Sequence, residues 1–186
     1  RIQDRADWEY INANVFLKGT DEHALAPSWV KEIDGVRVGF IGAVTEDLPT
    51  LVSPAGIAEL DVRGIVDSVN AVATELTDGD DSNGEADVLL LLVHEGAPTT
   101  DVASITPESA LGRIVYGVSP EVDAIVSAHT HLAYNHVIDG RPVISAGQYG
   151  ENMGVMQIQV DPTSKELLSS TNEIRALTKD GAPIAA

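Results

Sequence analysis

The chain has 186 residues, enough for one hydrophobic core, and its 44% hydrophobic content is ordinary for a globular domain. A formal net charge of −18 argues strongly against a nucleic-acid polymer as partner, since no basic stripe exists to neutralise phosphates, while small anions held through a metal ion stay open. The absence of cysteine excludes a disulfide scaffold and thiolate metal sites, leaving nitrogen and oxygen ligands, and no apolar run approaches the ~20 residues needed to span a bilayer.

In chain order, residues 8–15 read as a short strand. Residues 28–33, the turn Asp34-Gly35 and residues 36–44 read as a hairpin whose second arm is apolar enough for a central strand. A loop with Pro49 and Pro54 comes next. Asp61 is placed to cap a helix running to about Leu76, with Ile65, Val69, Val72, Ala73 and Leu76 on one face. Residues 78–85 have a calcium-loop flavour, but the glycine falls one place late and the final glutamate is missing, so a solvated loop is expected. A strand over 87–93 then delivers His94, and residues 97–101 loop beside it. Thr106 at the cap and Pro107 in the first turn start a helix toward Tyr116. The apolar run from Val122 ends at Ala128-His129-Thr130-His131. Two more hairpins complete the chain, 134–138 with 141–145 and 153–160 with 166–174. Residues 178–186 read as a frayed end or linker start, leaving one domain over 1–177. Strands alternating with helices, then terminal hairpins, imply an α/β fold with a mixed sheet.

The chemistry concentrates at strand ends. On an extended backbone, His129 and His131 at i and i+2 project to one side and share a pocket. His94 ends the preceding apolar strand, and in α/β sheets ligands collect beyond the carboxyl ends of the strands. The plain alternative is that each histidine merely caps its strand and bonds nearby carbonyls.

Four blocks in order, Val38-Gly39-Phe40-Ile41-Gly42-Ala43-Val44-Thr45, Leu90-Leu91-Leu92-Val93-His94-Glu95-Gly96, Ala128-His129-Thr130-His131 and Gly140-Arg141-Pro142-Val143-Ile144-Ser145-Ala146-Gly147, resemble successive blocks of the 5′-nucleotidase branch of the calcineurin-like metallophosphoesterases. The resemblance implies one half of a four-layer α/β/β/α sandwich and metal-assisted phosphoester hydrolysis with two divalent ions, Zn, Mn or Fe. Carried over, His94 and His129 would bind the second metal and His131 the first, a position that some members of the family fill with another residue. Gly147 and Gly150 belong to a loop facing the site, where they shape substrate access. The family's Asp-x-His strand end, its Gly-Asp block with a bridging Asp and its Asn-His-Glu block with the acid histidine are not found in this sequence. The stretch from Arg1 to Val15 resembles the family segment just after the Asn-His-Glu block, so the acid histidine is expected upstream of Arg1. The opening at Arg1, without a methionine, fits a truncated or processed polypeptide.

The chain is therefore expected to lack the N-terminal half of its own domain, to hold a partial or empty site and to be inactive alone. One face of its sheet would lack a partner layer. By the same resemblance, the substrate is a small phosphorylated molecule, a nucleotide, and the parent is extracellular, cell-surface or periplasmic. Asn12 and Asn14 are assigned structural roles, Asp123 a turn cap, and His23 and His136 no role at the site. The alternatives are a degenerate, non-enzymatic metal- or partner-binding module and a sulfur-ester hydrolase on the same scaffold.

Overall fold

The computed structural model describes residues 3–179 and 182–183. The expected strand over 8–15 is displaced. The Asn12 Oδ1 accepts hydrogen bonds from the backbone N–H groups of Asn14 and Val15, curling the chain into an Asx-type turn, and only Val15 enters β1 (Val15–Leu17). β2 (Ser28–Ile33) and β3 (Val36–Val44) form the expected hairpin, with Asp34 and Gly35 both at positive φ as its two-residue turn requires. The stretch expected as loop holds a single-turn α1 (Leu48–Leu51) and β4 (Leu60–Val62), which pairs antiparallel with β1.

The first long helix, α2 (Ile65–Glu75), starts with its apolar stripe at Ile65, later than a cap at Asp61 would place it. Asp61 lies in β4, and its carboxylate accepts from the Gly19 N–H instead of capping the helix. The free N–H of Ile65 is met by the Glu46 carboxylate, 19 residues upstream, an end-group partner that local sequence does not reveal. β5 (Val88–His94) comes next, then α3 (Ala110–Gly117), capped by Ser109 rather than Thr106, the Ser109 hydroxyl accepting from the Gly112 N–H at 3.1 Å. β6 (Val122–Ser127), β7 (Ala133–Ile138), β8 (Arg141–Ala146), β9 (Asn152–Val160) and β10 (Leu167–Ala176) complete the main elements. The stretch expected as a frayed end begins with a short antiparallel pair, β11 (Thr178–Lys179) and β12 (Ala182–Pro183). Residues 1, 2, 180, 181 and 184–186, on which the expectations for both chain ends also fall, lie outside the described residues.

The central sheet has the order β2-β3-β5-β6-β8-β7. β3, β5, β6 and β8 run parallel and the two edge strands antiparallel, so the sheet is mixed. On one face the register aligns Ile41, Leu91, Ile125 and Val143, all fully buried, across four strands. α2 and α3 supply the rest of that core through Val69, Val72, Ala73, Leu111 and Ile114. The near-continuous apolar runs of β3 and β5 are what a parallel strand flanked on both sides calls for.

On the opposite face, Met156, Ile158 and Val160 of β9 lie along an apolar cleft with Val38, Phe40, Val88 and Leu90. Beyond that cover, Leu92 and Val126 on central strands each remain 37% exposed. No helix among the described residues is long and apolar enough to cross a membrane.

Candidate functional site

β3, β5 and β6 are parallel, so their carboxyl ends emerge at one edge of the sheet and bring Thr45, His94 and residues 128–131 together. His94 is the last residue of β5, as expected. His129 and His131 are not on the strand. β6 ends at Ser127, and both histidines adopt left-handed φ, 72° and 62°. The Thr130 N–H donates to the Ala128 carbonyl at 2.9 Å across His129, closing a tight γ-turn of the positive-φ kind, which is sterically costly. The extended i, i+2 geometry is thereby corrected: a turn, not strand alternation, aims these rings.

The turn is held against the end of β5. The Ala128 N–H donates to the Glu95 carbonyl at 3.1 Å, and the Thr45 N–H donates to that of His94 at 3.0 Å. Gly96 makes the approach possible, because a Cβ there would fall inside the Ala128 carbonyl and the Thr130 hydroxyl. Glu95 is buried, accepting from the Thr45 hydroxyl at 2.8 Å and from the Gly96 N–H at 2.9 Å. Below, the Tyr134 hydroxyl accepts from the Ala97 N–H at 3.1 Å and shares a short hydrogen bond with Ser127 Oγ.

The outcome is a pair of imidazoles, His129 Nδ1 and His94 Nε2, 3.2 Å apart with rings crossing at 66°. Two nitrogens each about 2.0–2.1 Å from one tetrahedral zinc ion stand about 3.3 Å apart, so this spacing fits two ligands of a single ion. Burial, then the neighbouring His129, lowers the His94 pKa, with Glu95 opposing and His131 adding to the depression. A neutral imidazole with a free lone pair is the ligating form. The Thr130 hydroxyl, buried between the two histidines, has no hydrogen-bond partner among the described residues.

His131 is exposed, and its ring lies 5.6 Å from that of Tyr149. Gly147 and Gly150 flank Tyr149 in the β8–β9 loop, with φ of 86° and 70°. The structure therefore brings His94 and His129 into contact and sets His131 beside them. Among the described residues, no cluster of three or more His, Asp or Glu side chains is poised to hold a metal ion.

Thr45, Glu95, Tyr134 and Tyr149 escape a reading of the sequence alone. Glu95 and Thr45 stand next to motif residues, and Tyr149 stands between two flagged glycines, but nothing local signals their contacts. Asn14 is fully buried, donating to the carbonyls of Val44 and Arg63 and accepting from the Val44 N–H. Asp123 does not cap a turn. It sits within β6, and its Oδ2 accepts from the Leu89 N–H at 2.8 Å, bridging a register shift between β5 and β6. His136 lies parallel to the Tyr134 ring and bonds the Thr100 carbonyl. Asp21-Glu22-His23 does spell Asp-x-His, but it lies in the turn after β1 rather than at a strand end, with His23 packed on Phe16 at 4.3 Å.

No family model matches the chain. It is 30% identical over 171 residues to Endonuclease YhcR of Bacillus subtilis, covering 92% of this chain and 13% of that protein. It is 28% identical to Cell wall protein Lmo0130 of Listeria monocytogenes (89% and 22% covered) and 26% identical to the metallophosphoesterase YunD of B. subtilis (96% and 35%). Among solved structures, the calcineurin-like phosphoesterase YfkN of B. subtilis superposes with a TM-score of 0.76 at 23% identity, covering 92% of this chain and 56% of that one. A 5′-nucleotidase precursor from Thermus thermophilus gives 0.69 at 21%, covering 97% and 36%.

The fold, with histidines gathered at the strand ends, is that of the calcineurin-like metallophosphoesterases. Within that class, the chain resembles the 5′-nucleotidase branch over nearly its whole length. It spans 13 to 35% of the length of these three curated relatives.

Proposed function

We propose that the parent protein is a divalent-metal-dependent phosphohydrolase acting on nucleotides or related phosphate esters, and that residues 1–177 form the second half of its catalytic domain. The observation that carries this reading is the 3.2 Å approach of His94 Nε2 to His129 Nδ1 at the carboxyl edge of the parallel strands. His94 and His129 would hold one ion and His131 would serve a neighbouring one. Zinc, manganese or iron suits such nitrogen and oxygen donors, and when bound the pair supplies an activated water and charge neutralisation at the phosphate.

This chain's own part is positional. Glu95 and Thr45 fix the backbone of His94, and the turn at 128–130 fixes His129. The bridging carboxylate and acid histidine come from elsewhere in the parent, so the 186 residues alone would be inactive. The cell-wall name of one relative supports placing the parent outside the cytoplasm.

The test is release of inorganic phosphate from 5′-AMP by the parent protein, with and without chelator and after zinc or manganese is restored. His129→Ala and His94→Ala should each lower kcat/KM by at least about 10³-fold, the scale of losing a central electrostatic element, and should weaken metal retention. Turnover indifferent to chelator, or to both substitutions, would end this reading. A module that binds metal or a partner without catalysis is the second reading, in which the His94–His129 pair is kept without the rest of the catalytic site. It predicts metal retention dependent on His94 and His129 with no turnover in the parent.

A further inference from the structure

Tyr134 belongs to β7, an edge strand of the central sheet, yet its ring is 3% exposed and lies in the core. Its hydroxyl sits between the two segments that carry the histidine pair. The Ala97 N–H, just past His94, donates to it at 3.1 Å, and Ser127, just before Ala128-His129, bonds it through Oγ. An N–H only donates, so the phenol oxygen accepts from Ala97 and its own proton turns to Ser127 Oγ. The serine proton is left to face the Ile144 carbonyl of β8 at 3.5 Å. The bonds therefore run in one direction, from the exit of β5 through Tyr134 to the end of β6.

Ala97 and Ser127 are 0% and 4% exposed, so solvent cannot replace the hydroxyl. A phenylalanine would fill the same apolar space and strand the Ala97 N–H. β7 also grips this loop a second time. His136, the next residue on the same side of the strand, lies parallel to the Tyr134 ring at 5.5 Å and bonds the Thr100 carbonyl at 3.1 Å. The sheet ladder joins β5 to β6 as far as Val93 and Ser127. Beyond it, the Ala128–Glu95 backbone bond joins the two segments from above and Tyr134 joins them from below.

We infer that Tyr134 is a positioning residue for the metal ligands: its hydroxyl ties the loop after His94 to the strand end before His129, and so sets the spacing at which the two imidazoles share one ion. It acts through backbone, without itself binding the ion. Groups that orient metal ligands in this indirect way govern metal affinity by about 10–100-fold. The inference rests on the metal-site reading proposed for the parent.

The experiment follows zinc release from the zinc-loaded parent protein into excess chelator, alongside thermal melting and hydrolysis of 5′-AMP at limiting and at excess zinc. Tyr134→Phe should release zinc about tenfold faster. Its kcat should fall at limiting zinc and return at excess zinc, with KM for 5′-AMP unchanged. Ser127→Ala cuts the same bridge from the other side and should do the same. Asn70→Ala controls for ordinary destabilisation: the Asn70 side chain donates to the Gly117 carbonyl and accepts from the Ser119 N–H at the C-terminal end of α3, so its loss should lower the melting temperature and leave zinc release unchanged. Zinc release unaffected by either bridge variant, or accelerated equally by Asn70→Ala, overturns the inference while leaving the phosphohydrolase reading intact. Bridge-dependent zinc retention in a parent that hydrolyses no phosphate ester overturns the phosphohydrolase reading and upholds the inference. A parent that retains no zinc overturns both.

Discussion

Asn14 tests at a single residue whether a polar side chain near a candidate metal site binds metal or backbone. It is fully buried and its amide group both donates and accepts, tying β3 to the Arg63 carbonyl. Asn14→Ala should cost about 3 kcal/mol, since it strands buried backbone groups. Asn14→Asp should cost as much, because a carboxylate cannot donate to the Val44 and Arg63 carbonyls. A ligand role predicts the reverse, with Asp tolerated, and thermal melting of the two variants decides. Asp87 gives the pH counterpart. Burial opposes its ionisation, but hydrogen bonds from the Arg37 side chain and backbone N–H outweigh that and hold its pKa below the ordinary carboxylate value. The folded pKa is thus below the unfolded one of about 3.9. The stabilisation is complete above that value and is lost as pH falls through the folded pKa. Asp87→Asn should destabilise by about 1 kcal/mol at pH 7, and the gap between variant and unmodified protein should close in urea titrations as pH is lowered below about 4.

At the scale of elements, the contact between the β5 end and the 128–130 turn decides whether the histidine pair forms. Gly96→Ala places a methyl group where the Ala128 carbonyl and Thr130 hydroxyl now sit, so the turn must retreat. Overpacking of this kind costs about 1–3 kcal/mol, and it should open the 3.2 Å His94–His129 approach. The expected result is a parent protein that folds but retains metal poorly when dialysed, which inductively coupled plasma analysis would read directly. Unchanged metal content would show that the turn does not set the pair. The same contact explains what sequence can and cannot disclose. Hairpins are legible because Asp34-Gly35 and Asp139-Gly140 specify their turns locally, and the strand bearing His94 is legible because a parallel central strand is apolar throughout. The start of α2 is not, since its end-group partner is Glu46 and its nominal cap is occupied with Gly19. The turn at His129 is not, since its tightness depends on a glycine 33 positions away rather than on neighbouring residues. Histidine identities are readable; their aim is tertiary.

For the whole molecule, two large-scale features oppose each other. The sheet face away from α2 and α3 leaves Leu92 and Val126 over a third exposed on central parallel strands, next to a cleft lined by Trp8, Trp29 and Phe40, whereas parallel sheets are ordinarily covered on both faces. Uncovered, that surface favours self-association. The charge of −18 opposes it through long-range repulsion. Salt separates the two, because at 1 M the screening length falls to about 3 Å while apolar attraction persists. The 186-residue polypeptide should therefore sediment as a monomer near 0.05 M NaCl and associate as salt is raised to 1 M. Leu92→Thr with Val126→Thr places β-branched strand formers at both positions while removing apolar surface, and should restore the monomer at high salt. Association that weakens with salt would instead assign it to charge pairing and leave the open face inert. If the open face drives association, the parent protein, in which a further layer is proposed to cover that face, should show no such salt dependence, so the comparison also tests whether this sheet is half of a larger sandwich.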